Sequence, residues 1–305
     1  MTMADIVIIG AGPAGMSAAI YARRAGMETV VFEGNMYGGQ IVNTPEVENY
    51  PAIQKISGFD FAENLYNQMK DLGAKVKFEP VVAIEGNAET GFTVRSEYSS
   101  EPAKAVIIAT GAKNRHIGIE DEERLTGHGI SYCATCDGAF FKGKEVAVFG
   151  GGNTAVEDAL YLANLASKVY LIHRRNQFRA EETLVSAAKS NPAIETVTPA
   201  IVTGLKGDSK LTAISVTDVS TGRERMIDVD ALFIAIGQIP AAAPFANIVD
   251  QQDGYIVAGE DCRTSAKGIF VAGDGRTKSV RQLTTAAADG AVAALAACEF
   301  ARSLS

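Results

Sequence analysis

Residues 5–33 read DIVIIGAGPAGMSAAIYARRAGMETVVFE, and the fold follows from how that stretch is punctuated. Asp5-Ile6-Val7-Ile8-Ile9 is a short, β-branched apolar run, the composition of a strand buried on both faces. It passes directly into Gly10-Ala11-Gly12-Pro13-Ala14-Gly15, a G-x-G-x-x-G turn. Met16, Ala19, Ile20 and Ala22 then suit a helix that Gly26 ends, and Thr29-Val30-Val31-Phe32 reads as a second strand tipped by Glu33, 23 residues after Gly10. Strand, glycine turn, helix, strand and acid is the order of a dinucleotide-binding βαβ unit. Gly10 permits the tight turn, Gly12 lets a pyrophosphate approach the backbone, and Gly15 lets helix and strand pack closely. Pro13 and Ala14 lie where the unpaired N–H groups of the helix N-terminus face phosphate. Glu33 would accept hydrogen bonds from a ribose diol. An ordinary glycine-rich turn is the competing reading, and it leaves the acid and both strands unexplained.

The pattern recurs 140 residues later. Glu145-Val146-Ala147-Val148-Phe149 leads into Gly150-Gly151-Gly152-Asn153-Thr154-Ala155, a G-x-G-x-x-A set, and Ala155, Ala159, Leu162, Ala163 and Ala166 follow at helical spacing. The next strand, Lys168-Val169-Tyr170-Leu171-Ile172, ends at His173, again 23 residues after the first glycine. Where the first copy has an acid, this one has His173-Arg174-Arg175, with Arg179 one turn further on. A carboxylate would repel a 2′-phosphate, whereas arginine holds it through a bidentate fork, so this site is expected to take NADP(H) rather than NAD(H). A solvated basic patch is the alternative.

Two related halves are also visible in Ala105-Val106-Ile107-Ile108-Ala109-Thr110-Gly111 and Ala231-Leu232-Phe233-Ile234-Ala235-Ile236-Gly237, both buried-strand patterns ending in glycine. One acid-tipped and one basic-tipped loop point to two different nucleotides, and FAD with NADPH fit. A third run, Gly268-Ile269-Phe270-Val271-Ala272-Gly273-Asp274, ends in an acid and precedes Arg281-Gln282 at the start of an alanine-rich helix. In a flavoprotein that layout lets Asp274 hold the ribityl chain and turns the helix N-terminus toward the flavin pyrimidine.

Cys133-Ala134-Thr135-Cys136 is a C-x-x-C followed by Asp137 and Gly138. The spacing permits a disulfide within one turn, and a thiol at a helix N-terminus ionises more easily. A zinc site would need four ligands, and beyond this pair the chain offers only Cys262, Cys298, His116, His128 and His173. No metal is expected; two inert cysteines are the other possibility. With flavin and NADPH on one chain, a reducible pair completes an electron route from nicotinamide to flavin to Cys133/Cys136 to an outside disulfide, with Asp137 moving the proton if its surroundings raise its pKa. Cys262 and Cys298 have no partner spacing and read as structural.

Taken together, Gly10 to Gly15, Gly38-Gly39-Gln40, Glu48-Asn49-Tyr50-Pro51, Cys133 to Gly138, Gly150 to Ala155, His173 to Arg179, and Gly273-Asp274 with Arg281-Gln282 resemble the low-molecular-weight, bacterial-type thioredoxin reductases along essentially the whole chain. The resemblance implies an α/β fold of two Rossmann-like dinucleotide-binding domains, three-layer ββα in type. It places a first part of an FAD domain at 1–113, an inserted NADPH domain carrying the CxxC at 114–243, and the rest of the FAD domain at 244–305. It implies that Cys136 faces the flavin, that Cys133 attacks the thioredoxin disulfide, that Asp137 donates the proton, and that Gly38, Gly39, Gln40, Asn49, Val82, Ala109, Thr110 and Gly111 join the FAD contacts. A homodimer and an alternation between two domain orientations are further implications. Gly275, where a branched residue is expected, and Ala241-Ala242, where a polar residue is more usual, depart from the pattern. A flavoprotein reductase of a peroxiredoxin, or a non-catalytic NADPH or redox sensor, are the alternatives.

The composition agrees. The 305 residues are 47% hydrophobic and 21% charged, with a net charge of −8, which places the chain among globular proteins of about two domains and away from nucleic acid or anionic membranes as partners. Ile6 to Ala22 is uncharged but short and glycine-interrupted, so neither a signal peptide nor an anchor is expected there, and no other stretch reads as a membrane span. Four cysteines are too few for a secreted disulfide framework, which makes a cytoplasmic location the default.

Overall fold

The computed structural model describes residues 3–304. Its chain divides into two compact units, Met1–Lys113 with Ile239–Ser305 and Asn114–Gln238, the second inserted between the segments of the first.

In the first unit the strands Lys75–Lys77, Thr29–Phe32, Ala4–Ile9 and Ser100–Ile108 lie side by side and parallel, with Ile6 in register with both Thr29 and Ala105. Ser100–Ile108 is shared between layers. Its C-terminal half pairs in parallel with Ile269–Val271, and its N-terminal half pairs antiparallel with Gly91–Ser96, which continues to Val81–Asn87. Ile6, Val7, Ile8 and Val106 to Ile108 are wholly buried, and each such side chain contributes about 1.5–3 kcal/mol by leaving water. Helices Pro13–Arg24 and Leu283–Ser303 cover the parallel face. They cross where a Cβ at Gly290 would collide with the Ala14 carbonyl, and the Ser17 hydroxyl donates to the Ala287 carbonyl there (2.7 Å). Helix Gly58–Asp71 starts conventionally, with the Ser57 hydroxyl accepting from the Asp60 amide, an interaction worth about 1 kcal/mol.

The second unit repeats the plan. Ile194–Val197, Lys168–Ile172, Glu145–Gly150, Ala231–Ala235 and Ile130–Ser131 form an all-parallel sheet. A separate antiparallel sheet comprises Ala200–Lys206, Ala213–Asp218 and Glu224–Asp228. The matching segments seen in sequence occupy matching places: Ala105 pairs with Ile6 as Ala231 pairs with Val146, and both runs end in glycines of positive φ, Gly111 (+65°) and Gly237 (+97°). The architecture is α/β with two Rossmann-like parallel sheets.

The first unit resumes at Ile239, and Ala242 and Phe245 are buried in its core. Leu283–Ser303 is, by length and composition, a helix long and apolar enough to cross a membrane. Ten of its residues are instead buried within this unit, among them Asp289, whose carboxylate is paired with Arg276 and Lys278.

Candidate functional site

The first glycine loop is built around backbone contacts that tolerate no side chain at two positions and leave a third open. Gly10 has φ +109° and its absent Cβ would strike the Ala109 carbonyl; a Cβ on Gly15 would strike the Gly10 carbonyl. Gly12 differs: a Cβ there would meet only the Cα of Gly39, 4.0 Å away. The smallness of Gly12 therefore serves no packing within the chain. Helix Pro13–Arg24 has no side-chain cap at Gly12, so its first amides are left for an outside acceptor. Glu33 stands at the strand tip, where one carboxylate oxygen accepts from the Ala11 amide (2.8 Å) and the other from the Asn35 amide (2.9 Å).

Other first-unit candidates converge on the same loop. Gly39 (φ +64°) lies against Gly12 and Pro13, and Gly38 (φ +103°) donates its amide to the Ala11 carbonyl (2.8 Å). Gln40 donates to the Ala112 carbonyl, and Thr110 to the carbonyl of Ala241 (2.8 Å). Asn49 and Gln282, far apart in sequence, meet at 3.4 Å, and Gln282 closes a capping box with Thr285 at the start of Leu283–Ser303. Arg281 lies over the Tyr255 ring (4.3 Å) and donates to the Asp274 carbonyl. Val82 is exposed at a register shift in strand Val81–Asn87. Asp274 is half-buried, and one of its carboxylate oxygens is buried with no hydrogen-bond partner. Burial pushes its carboxyl upward while Lys278 and Arg281 draw it back. A buried acceptor without a donor, an open glycine cradle, an uncapped helix and a strand-tip acid fit the groups of FAD: ribityl and ribose hydroxyls donate to the acids, and pyrophosphate oxygens accept from the amides.

The second loop repeats the logic with opposite charge. Helix Asn153–Leu162 is uncapped by any side chain at Gly152, and a Cβ on Gly152 would meet nothing within 4 Å, whereas one on Gly150 would strike the Ala235 carbonyl. His173 is buried, its ring lies over Gly151 and stacks on Phe178 (5.3 Å), and its Nε2 has no partner. Burial and the neighbouring arginines hold its pKa below the usual imidazole value. Arg174, Arg175 and Arg179 are exposed, and none makes an ion pair among the described residues. The Arg179 amide donates to the Gly151 carbonyl (2.7 Å), and Asn153 and Glu181 exchange two hydrogen bonds (2.9 and 3.1 Å) that close the arginine segment onto the helix start. Thr154 follows Asn153 on the exposed first turn and Ala155 is buried against Gly150. Unpaired arginines beside an open glycine and uncapped amides fit the phosphates of NADPH.

The cysteines are joined: Cys133 and Cys136 form a disulfide with their Cα atoms 5.3 Å apart. Cys133 caps the turn Ala134–Asp137, its sulfur accepting from the Cys136 amide (3.2 Å). Ser131 ties the site together, donating to Asp137 (2.6 Å) and accepting from the Cys133 amide (3.1 Å). Burial raises the Asp137 carboxyl above its ordinary value, only partly offset by the Ser131 hydrogen bond. Sequence reasoning missed Ser131, whose only signal is its place two residues before Cys133. It also missed Glu122, buried, which accepts from the Gly118 amide (2.7 Å) and the hydroxyl of Tyr132 (2.8 Å) and so anchors the residue preceding Cys133. Asp158 was missed too. It lies on the helix against which the Cys133–Asp137 turn packs, and burial, with Glu157 beside it, pushes its carboxyl up to about 7. Cys262 and Cys298 are buried and unbridged.

Residues 4–290 match the model of the pyridine nucleotide-disulphide oxidoreductase family. The thioredoxin reductase of Listeria monocytogenes is 41% identical over 302 residues, covering 98% of this chain and 94% of that protein. The chain belongs to this family, among its thioredoxin reductases. Bacillus subtilis thioredoxin reductase is likewise 41% identical, over 292 residues that cover 95% of this chain and 92% of that one. The crystal structure of the thioredoxin reductase from Streptococcus pyogenes superposes with a TM-score of 0.95 at 38% identity, covering 99% of each chain. Thioredoxin reductases use FAD and NADPH, and the Cys133–Cys136 disulfide fits their redox-active pair.

Proposed function

We propose that this chain is an NADPH-dependent thioredoxin-disulfide reductase whose working groups are Cys133, Cys136 and Asp137. The observation that carries the reading is the Cys133–Cys136 disulfide, linked through Ser131 to a half-buried Asp137, in the same unit as an arginine-tipped glycine loop. Gly10, Gly12, Gly15, Glu33, Gly39, Asp274, Arg281 and Gln282 would hold FAD, and Gly150, Gly152, His173, Arg174, Arg175 and Arg179 would hold NADPH. Bound FAD supplies the two-electron relay between the nicotinamide and the disulfide.

The chain's own part is thiol chemistry. Two electrons and two protons convert the Cys133–Cys136 bond into a dithiol. The Cys133 thiolate then attacks one sulfur of the thioredoxin disulfide, forming a mixed disulfide and expelling the other thioredoxin sulfur as a thiolate. Cys136 next attacks the Cys133 sulfur, which restores the internal bond and releases reduced thioredoxin. Asp137, whose carboxyl pKa burial raises, protonates the departing thiolate, and Ser131 holds it in place. The Cys133 sulfur already accepts from the Cys136 amide, a contact that favours the thiolate.

Purified protein is expected to oxidise NADPH over many turnovers with oxidised thioredoxin, and far more slowly with NADH; activity with neither nucleotide would remove the reading. Homodimeric assembly and a cytoplasmic location belong to the same proposal, supported by the resemblance and by an active site that must cycle through its reduced form. Light scattering is expected to give twice the monomer mass, and a monomer would remove the assembly part.

A further inference from the structure

The charged groups buried beneath the Gly273–Gly275 turn have no part in the chemistry above. Asp289, on helix Leu283–Ser303, is only 5% exposed. One of its oxygens accepts from the Gly273 amide (3.0 Å), Arg276 Nε (2.9 Å) and Lys278 Nζ (2.8 Å), and the other from Arg276 Nη2 (2.9 Å). Arg276 is 1% exposed and also donates to the Thr277 carbonyl and to Glu260, whose own side chain is in solvent. Two cations thus share one buried carboxylate, with Glu260 reaching Arg276 from solvent, an arrangement costly in desolvation.

Asp274 follows Gly273, whose amide shares an Asp289 oxygen with Lys278 Nζ. The groups around it are Lys278 and Arg281 from the following segment, which favour its ionised form, and Asp289 from the helix, which opposes it; Arg276 is neutralised by Asp289. The turn that carries Asp274 is fixed by the Gly273–Asp289 bond, with Gly273 at φ +79°. An isolated carboxyl so deeply placed would take up a proton and lose acceptor strength toward a ligand hydroxyl.

We propose that Lys278, held by Asp289 together with Arg276, is a positioning residue for flavin binding: its charge keeps the orphaned oxygen of Asp274 an acceptor for ribityl hydroxyls, while Asp289 fixes the turn that presents it. The proposal rests on the assignment of Asp274 to FAD, and Asp274→Asn tests that assignment separately.

The test is FAD binding to the deflavinated full-length chain, followed by flavin fluorescence from pH 6 to pH 9. Wild type and Lys278→Arg are expected to bind with nearly the same Kd throughout. Lys278→Met is expected to bind about tenfold or more weakly at pH 6 and to recover as pH rises and Asp274 ionises, the direction set by removing a cation from beside an acid. Asp274→Asn is expected to bind weakly at every pH, and adding Lys278→Met to it is expected to change Kd less than twofold. Pure structural damage would weaken Lys278→Met equally at all pH values and would persist on the Asp274→Asn background; either result overturns the proposal, as does a Lys278→Met profile identical to wild type. Wild-type affinity in Asp274→Asn alone would instead remove the assignment of Asp274.

Discussion

Asp137 is half-buried and accepts from the Ser131 hydroxyl, which separates its effect on activity from its effect on stability. Its folded pKa lies above the unfolded value, so folding is penalised once the carboxyl ionises, and stability falls as pH climbs from the unfolded pKa through the raised one. An asparagine in its place could still accept the Ser131 hydrogen bond but carries no charge to desolvate. Asp137→Asn is therefore expected to melt at or above the wild-type temperature at pH 8, with a smaller difference at pH 4, while turnover with thioredoxin drops by about 10²–10⁴ at pH 8, the usual range for losing a general acid. A variant both less stable and fully active would contradict the role. Arg174 and Arg175 are exposed and make no ion pairs among the described residues, so Arg174→Ala with Arg175→Ala is expected to leave the melting temperature unchanged and raise the KM for NADPH at least tenfold with little change for NADH. Equal effects on both nucleotides would sink the 2′-phosphate assignment.

At the scale of the elements, glycines divide into those the fold needs and those a ligand needs. Gly15→Ala would drive a methyl into the Gly10 carbonyl, and a loss of about 1–3 kcal/mol of stability is expected by thermal unfolding. Gly152→Ala meets nothing within 4 Å, so its melting temperature is expected to match wild type while the NADPH KM rises at least tenfold; the reverse pattern would show that Gly152 is structural. This division explains what was legible in sequence. Strand, glycine turn and tip residue lie within about thirty residues, and buried β-branched runs and glycine geometry act locally, so both βαβ units could be placed from Gly10, Glu33, Gly150 and His173, and the CxxC from the spacing of Cys133 and Cys136. Ser131 on Asp137, Asn49 on Gln282 and Asp289 on Arg276 depend on where side chains arrive after folding, which periodicity does not encode. The alanine-rich helix Leu283–Ser303 shows the same limit. Its apolar composition is that of a core helix, and only the ion-paired Asp289 and the Gly290 crossing reveal how it is used.

For the molecule as a whole, the two glycine loops lie on two units of one chain whose net charge of −8 conceals a local basic cluster. Each nucleotide that binds only the folded chain stabilises it by mass action, about 2.7 kcal/mol at a hundredfold excess over Kd, so NADP+ is expected to raise the melting temperature of wild type but not of the double arginine variant. The central claim is an electron path from NADPH to an external disulfide that must leave the chain through Cys133 and Cys136. The most direct test is NADPH oxidation with oxidised thioredoxin by wild type and by Cys136→Ser, with bound flavin measured in both. Multiple turnover in wild type and no thioredoxin reduction in a Cys136→Ser protein of unchanged flavin content is the result expected. Thioredoxin reduction by Cys136→Ser at the wild-type rate would contradict it.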